Sequence, residues 1–202
     1  NIRVTRSYGP ARLVVVQASL SDLIEKILPH PAVQFADRSA PQGRAELPVP
    51  GHNLFVNRIN AAQRYWPLLN GAGITVSVKE FRFDSSDVDF RGRYLPSPKS
   101  AAQLTDHAHI MASLIAGAGN SDPAGQGVAP GVQLTSSNFV GLLPDDAADY
   151  AAQNISVQNH SYGIAIENYY GLSALAYDQS VTLRPELLHV FSAGNDGLMA
   201  SS

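Results

Sequence analysis

The stretch that decides the fold covers residues 105–130 and reads TDHAHIMASLIAGAGNSDPAGQGVAP. Thr105 and Asp106 are residue types that cap the N-terminus of a helix, and the run of Ala, Ile, Met and Leu that follows is apolar on nearly every face. Gly117 and Gly119 are expected to end this helix, because glycine adopts the left-handed conformation past a helix end most easily. The sequence therefore predicts a capped helix inside the protein.

His107 lies in the first turn of that predicted helix. The positive end of the helix dipole favours the neutral imidazole there, which is the state that a general base needs. A single histidine at this position also fits a plain buried residue near a helix cap. Its role therefore depends on the rest of the chain.

Length and composition limit the classes of protein to consider. The chain has 202 residues, of which 45% are hydrophobic and 15% charged, so it has enough apolar residues for a sizeable core. A net charge of −3 does not indicate nucleic acid or an anionic membrane as a partner. The chain contains no cysteine, which excludes disulfides and thiolate metal sites.

The first residues predict a small α+β unit over residues 1–37, followed by a linker over residues 38–56 that is rich in Pro, Arg, Gln and Gly. The unit has ββαβ order. Its predicted elements are strands at Ile2–Thr5 and Arg12–Gln17, a helix at Leu20–Leu28 and a strand at Ala32–Ala36.

Residues 57–202 alternate between strand and helix patterns, which predicts an α/β domain with a doubly wound, mostly parallel sheet. Strands are expected at Ile74–Lys79, Val132–Ser136, Ile155–Asn159 and Leu187–Ser192, and helices at 59–66, 105–117, 145–153 and 171–180. Chemistry in such sheets gathers beyond the carboxyl ends of the strands. Glu80, the Asn159/Ser161 turn and Asn195 fall at those ends.

Several motifs in this domain resemble those of the subtilisin-like serine proteases, the subtilases. Asp106–Gly117 is similar to the histidine motif of that family, and Gly127–Pro130 matches the Gly-Val-Ala-Pro that follows it. Asn159–Gly163 resembles Asn-Met-Ser-Leu-Gly, Phe191–Gly197 resembles Ala-Ala-Gly-Asn-Glu-Gly, and Gly73–Glu80 lies where the family has its aspartate strand. The resemblance implies a subtilisin-like fold, with residues 1–37 similar to the back part of an inhibitory propeptide.

The resemblance also implies roles for individual residues. His107 would be the general base, and Asn195 the side-chain donor of the oxyanion hole. Five residues would offer backbone to an extended substrate and line its pocket: Ser161, Tyr162, Gly163, Ala193 and Gly194. Asn195 also fits a turn residue in the left-handed conformation, and Ser161–Gly163 an ordinary strand exit.

The chain departs from the family pattern at the acidic residue that accompanies the catalytic histidine. Glu80 occupies the position of the usual aspartate, and it is one methylene longer. Glutamate can orient the imidazole and stabilise its protonated form in the same way. Alternatively, Glu80 is a solvated residue at a strand end, and Asp84 or Asp106 serves instead.

Only the first histidine of the motif matches, because His109 follows where the family has threonine. Two residues correspond to about 200° around a helix, so His109 should not face the site of His107. A His-x-His zinc pair is therefore disfavoured, since helical ligands are normally three or four residues apart. No cofactor is expected, although the family suggests a calcium site at Asp89 with residues 120–122.

A serine nucleophile is not recognisable in residues 198–202, so we expect it beyond residue 202. The expected function is that of a serine endopeptidase acting through an acyl-enzyme, secreted or extracellular by family resemblance. The alternative is a catalytically inactive relative that binds peptides or acts as a scaffold. A nucleotide-binding α/β domain is disfavoured, because Gly71 and Gly73 precede the strand rather than follow it.

The expected partners are a peptide or protein substrate and the remaining C-terminal segment of the same protease. That segment would cover apolar side chains at the end of the sheet. The residues expected to be partly uncovered without it are Ile155, Val157, Val190 and Phe191.

Overall fold

The computed structural model describes residues 2–39, 44–45, 54–140, 142–163 and 169–195. Within these ranges, no helix combines the length and the apolar character needed to cross a bilayer. The strands in chain order are β1 (Arg3–Tyr8), β2 (Leu13–Gln17), β3 (Arg44–Ala45), β4 (Thr75–Lys79), β5 (Gln133–Ser137), β6 (Ile155–His160), β7 (Tyr162–Gly163) and β8 (Leu188–Phe191). The α-helices are α1 (Leu20–Asp22), α2 (Ile59–Tyr65), α3 (Asp106–Ala116), α4 (Ala147–Ala152) and α5 (Leu172–Leu183).

A four-stranded parallel sheet forms the centre of the protein, in the order β5-β4-β6-β8. The predicted α/β class and parallel sheet are therefore confirmed. The four strands and the helices of the domain lie within a few residues of their predicted bounds, and α5 continues to Leu183, past its predicted end.

One face of the central sheet packs against α3, and we call it the α3 face. Val76 and Val78 of β4 and Leu134 of β5 point to this side and form the main apolar core with the helix. The helix contributes small side chains, since Ala108, Ala112 and Ala116 are all fully buried. Small side chains allow the helix axis to lie close to the strands. The first turn of α3 is thereby held next to the carboxyl end of β4.

Gly117 ends α3 for a different reason from the one expected. It has a φ of −52°, so it is not left-handed; Gly119, with a φ of +73°, is. A Cβ on Gly117 would lie 2.4 Å from the carbonyl oxygen of Gly125 and 2.9 Å from that of Ser113. Glycine is required here because the following loop folds back against the helix end.

The opposite face of the sheet is lined by polar side chains, and we call it the polar face. Helices α4 and α5 pack over it, as shown by the contacts of Tyr150 with Gln158 and of Ser180 with His189. The polar side chains that β4, β5 and β6 bury on this face are Thr75, Ser77, Lys79, Thr135, Ser137, Gln158 and His160. With helices on both sides, the sheet is doubly wound.

The N-terminal hairpin of β1 and β2 packs on the domain through Tyr8 and Leu13, which contact Leu143 and Ala176. Arg6 adds a hydrogen bond from its guanidinium to the carbonyl oxygen of Val140, 2.8 Å long. Helix α1 follows and continues as a π-helical turn. The strand predicted at residues 32–36 is wrong, because that segment has no regular structure and pairs with no strand in the part of the chain that the structure describes.

Candidate active site

Glu80 follows β4 at the carboxyl edge of the central sheet. Its backbone N–H donates to the carbonyl oxygen of Ser137 over 2.7 Å, which continues the ladder between β4 and β5 by one residue. Successive side chains of a strand alternate between faces, so Glu80 lies on the same side as Val76 and Val78. Its side chain therefore projects towards α3 and is fully buried.

His107 meets Glu80 from the first turn of α3. The Thr105 hydroxyl caps this helix by accepting from the backbone N–H of Ala108, over 3.3 Å. Nδ1 of His107 lies 2.5 Å from Oε1 of Glu80, and the His107 side chain is 10% exposed. Because the carboxylate accepts the Nδ1 proton, Nε2 is left with the lone pair of a neutral imidazole.

The charge state of Glu80 reflects two opposing effects. Burial raises the pKa of the carboxyl, and the hydrogen bond and charge of His107 lower it, with burial the larger effect. Oε2 is buried and has no hydrogen-bond partner within the described structure. The carboxylate is therefore stabilised chiefly from the side of His107.

The alternative acids lie elsewhere. Asp84 accepts hydrogen bonds from the backbone N–H and the hydroxyl of Ser86, at 2.9 and 2.6 Å, and Asp106 is exposed. His109 points away from His107, with Nε2 at 3.3 Å from Asp87 and its ring against Phe90. Within the described ranges, no cluster of histidine and acidic residues suits a metal ion.

Asn195 lies on an exposed turn just beyond β8. The preceding segment is tied to β6 by the backbone N–H of Ser192, which donates to the carbonyl oxygen of His160 over 3.0 Å. Gly194, with a φ of +82°, takes the left-handed conformation, and Asn195 does not. Because β4, β6 and β8 are parallel, Asn195 shares an edge of the sheet with Glu80. Among the described contacts, no hydrogen bond joins it to Glu80 or His107.

Ser161, Tyr162 and Gly163 follow β6 at the same edge. Asn159 donates from its side-chain amide to the Ser161 hydroxyl over 2.9 Å, and the side chains of Ser161 and Tyr162 are buried. Their backbone forms β7, which pairs antiparallel with β3 in the register Arg44 to Gly163 and Ala45 to Tyr162. The main chain of this edge thus pairs with an extended segment of the same polypeptide.

The sequence model of the subtilase family matches residues 57–202, well over half of the chain. The chain belongs to the subtilase family. The resemblance expected from the motifs is thereby confirmed, and family membership supports a peptidase function in general terms.

Solved structures similar to this subtilase chain include the patellamide maturation protease PatA, 19% identical over 63% of this chain and 51% of that chain, with a TM-score of 0.47. MycP1 from the ESX-1 type VII secretion system is 20% identical over 82% of this chain and 52% of that one, with a TM-score of 0.47. MycP1 from Mycobacterium smegmatis is 18% identical over 82% and 52%, also with a TM-score of 0.47. The chain spans about half the length of these structures. A search of curated proteins found no match.

A buried ion pair lies behind the candidate site of this subtilase, and we did not predict it. Lys79, which precedes Glu80 and points to the polar face, is 1% exposed and lies 2.6 Å from Asp145. The Asp145 carboxylate also accepts from the Ser137 hydroxyl at 2.7 Å and from the Gln158 amide at 2.8 Å. Burial alone would raise the pKa of Asp145, but Lys79 and these hydrogen bonds bring it below its ordinary value.

A second buried group, also not predicted, is a row of hydrogen-bonded side chains that we call the histidine–tyrosine chain. It runs from Ser180 to His189 (3.1 Å), to His160 (3.0 Å), to Tyr162 (2.9 Å) and to Tyr177 (3.2 Å). Burial lowers the pKa of His160 to about 2 and that of His189 to about 4, so both rings are neutral near pH 7. The polar alternation of β6 was the only sequence signal for it.

The calcium site suggested at Asp89 stays a prediction, and the described contacts of this carboxylate are hydrogen bonds. Oδ1 of Asp89 accepts from the backbone N–H of Asn120 at 2.5 Å and of Ser121 at 3.4 Å. The Asn120 side-chain amide donates to the carbonyl oxygen of Val88. Oδ1 of Asp89 thus connects its own turn to the loop of residues 120 and 121 through hydrogen bonds.

Proposed function

We propose that this chain is the N-terminal part of the catalytic domain of a subtilisin-type serine endopeptidase. The hydrogen bond of 2.5 Å between His107 and Glu80 carries the proposal. A buried carboxylate on Nδ1 fixes the tautomer and orientation of the ring, so that Nε2 is available to a serine hydroxyl. His107 then takes the hydroxyl proton as the serine attacks the scissile carbonyl, and returns it to the leaving amine.

In this proposal Glu80 stabilises the imidazolium that forms during the attack. Its burial supports the role, because a charge in a site of low dielectric interacts strongly with its neighbour. Asn195 is proposed as the oxyanion donor, supported by its place at the same edge of the parallel sheet. A side-chain donor of this kind contributes about 10²–10³ to the rate.

The nucleophile is proposed to lie in sequence that follows residue 202. Support comes from apolar side chains near the site, since Leu188 is 58% exposed and Val190 43% exposed on the same side of the sheet as α3. A helix that presents the serine would cover them. We expected Ile155 to belong to this surface, but it does not. A register shift in β6 turns its side chain to the polar face, where it is buried.

Extended peptides are proposed to bind along Tyr162–Gly163, with Ser161, Ala193 and Gly194 beside them. The pairing of β3 with β7 supports this proposal, because it shows the backbone groups of this edge satisfied by an antiparallel strand. Residues 44–45 belong to the segment before the domain, so the same pairing supports a zymogen in which this segment covers the substrate site.

A fluorophosphonate probe applied to the intact protein tests the proposed function. We expect labelling of a serine outside residues 1–202, and its loss in His107→Ala. The Asp84→Ala variant is the matched control, since it removes a nearby carboxylate that does not contact the imidazole. Absence of labelling after cleavage of the segment before the domain would favour the non-catalytic peptide-binding alternative.

A further inference from the structure

The candidate peptide-binding edge depends on a side chain that points away from it. Strand β7 has two residues and, within the described structure, pairs only with β3. A strand this short has little stability of its own. The Tyr162 side chain anchors it, because this side chain is buried beneath β7 and stacks on Phe139 with ring centroids 5.1 Å apart.

Hydrogen bonds at the Tyr162 hydroxyl fix that side chain. His160 Nδ1 lies 2.9 Å from the hydroxyl, and the Tyr177 hydroxyl of α5 lies 3.2 Å from it. His160 is itself immobilised, because its ring stacks on Phe191 with centroids 4.1 Å apart and Nε2 contacts His189.

The protonation pattern makes the histidine–tyrosine chain directional. A neutral imidazole has one donor and one acceptor nitrogen, so the two neutral rings must donate in the same sense along the chain. Every member is satisfied only when the next one is in place. Removing the hydroxyl of Tyr162 or Tyr177 leaves a buried polar group without its partner and lets β7 shift.

We propose that His160 and Tyr177 are positioning residues that hold the peptide-binding edge Tyr162–Gly163 through the Tyr162 hydroxyl. The proposal rests on the proposed function, because it assigns these residues to the binding of extended substrates. They act on the residues of the substrate that precede the scissile bond, and not on the proton transfer at His107.

The test uses the intact protein and its Tyr177→Phe and Tyr162→Phe variants, which keep both rings. Substrates are a tetrapeptide p-nitroanilide, long enough to lie along β7, and an amino-acid p-nitroanilide that is not. We expect KM for the long substrate to rise about threefold to tenfold, the value of one hydrogen bond, with kcat nearly unchanged. KM for the short substrate should not change in Tyr177→Phe.

Tyr150→Phe is the matched control. Tyr150 is another buried tyrosine over the same face, and its hydroxyl bonds Gln158 and the backbone of Asp145 without touching β7. The Tyr150→Phe variant should lower Tm, as the other variants do, and leave KM for both substrates unchanged. Equal KM values in all variants, or a rise in KM with Tyr150→Phe as well, would overturn the proposal.

Amide hydrogen exchange separates this proposal from the proposed function. Protection at Tyr162 and Gly163 should fall in Tyr177→Phe and Tyr162→Phe and persist in Tyr150→Phe. If the intact protein has no hydrolytic activity, this pattern still supports the positioning role while the protease assignment fails. Unchanged protection in both variants would overturn the positioning role regardless of activity.

Discussion

The two faces of the central sheet are built in opposite ways. The α3 face is mainly apolar, and its buried polar side chains include Ser136 and the hydrogen-bonded pair of Glu80 with His107. The polar face buries the ion pair of Lys79 and Asp145 and the histidine–tyrosine chain. An isolated polar pair in an apolar setting has strong electrostatics and serves chemistry, whereas a connected network specifies geometry. The difference predicts that changes at the Glu80–His107 pair reduce activity, and that changes in the network of the polar face reduce stability or substrate binding.

The largest effect is expected for Glu80→Gln. The amide cannot hold the Nδ1–H tautomer or stabilise the imidazolium, so kcat of the intact protease should fall about 10⁴-fold. The free energy of unfolding should change little, since glutamine fills the same space. Steady-state kinetics with Asp84→Asn as the control checks this, and a fall of less than about tenfold would exclude Glu80 as the catalytic acid.

On the polar face, Asp145→Asn should mainly reduce stability. It leaves the Lys79 ammonium buried without a counter-charge, which costs about 3–5 kcal/mol of unfolding free energy. Urea denaturation measures the loss. Glu186→Gln, which removes an exposed partner of Arg184, should have no measurable effect.

Replacing both members of the pair, Lys79→Met with Asp145→Leu, should recover much of the stability lost in Asp145→Asn. If the double variant is less stable than Asp145→Asn, the pair stabilises the fold beyond mere charge compensation.

Stability should also depend on pH through the polar face. Burial lowers the pKa of His189 to about 4, from 6.5 as its ordinary value. The unfolded chain therefore takes up a proton first as the pH falls, and the free energy of unfolding decreases between pH 6.5 and 4. Glu80 acts in the opposite sense, because its raised pKa favours protonation of the folded form. Urea denaturation across this range should show a smaller slope in His189→Gln.

The smallest effects are expected from single substitutions that replace an apolar side chain by a polar one or a polar side chain by an apolar one. Val78→Thr adds a hydroxyl to the α3 face without a partner, which should destabilise the protein by about 1–3 kcal/mol. Thr135→Val removes a hydroxyl that bonds Leu95 and Gln153 on the polar face, and should cost about 0.5–1.5 kcal/mol. If thermal unfolding shows that Val78→Thr leaves the stability of the protein unchanged, the contrast between the two faces is contradicted.

The α3 face could be anticipated because its signals are local. Thr105 caps the helix, apolar residues alternate along β4, and the family register places Glu80 where His107 can reach it. The carboxyl edge of a parallel sheet then brings these residues together. The observed hydrogen bond agrees with that geometry, while the catalytic roles stay predictions.

The polar face could not be anticipated, because its partners are distant in sequence. Alternating polar residues such as Ser77 and Lys79 also fit a strand that faces water, and nothing near them indicates Asp145. Strand β3 has only two residues, too few to show a period. Residues 32–36 carried apolar residues typical of a strand, but no neighbouring strand offers them hydrogen bonds.

In the proposed function, the pairing of β3 with β7 places a competitor on the same polypeptide as the proposed peptide-binding edge. A tethered ligand is present at an effective concentration of about the millimolar range, whatever the concentration of the protein. Free peptides that bind this edge as proposed would have to displace it, so their apparent affinity for the uncut chain would be weakened by a constant factor. A single cut in the tether makes the competing segment a separate molecule. Its competition then depends on protein concentration and is lost on dilution.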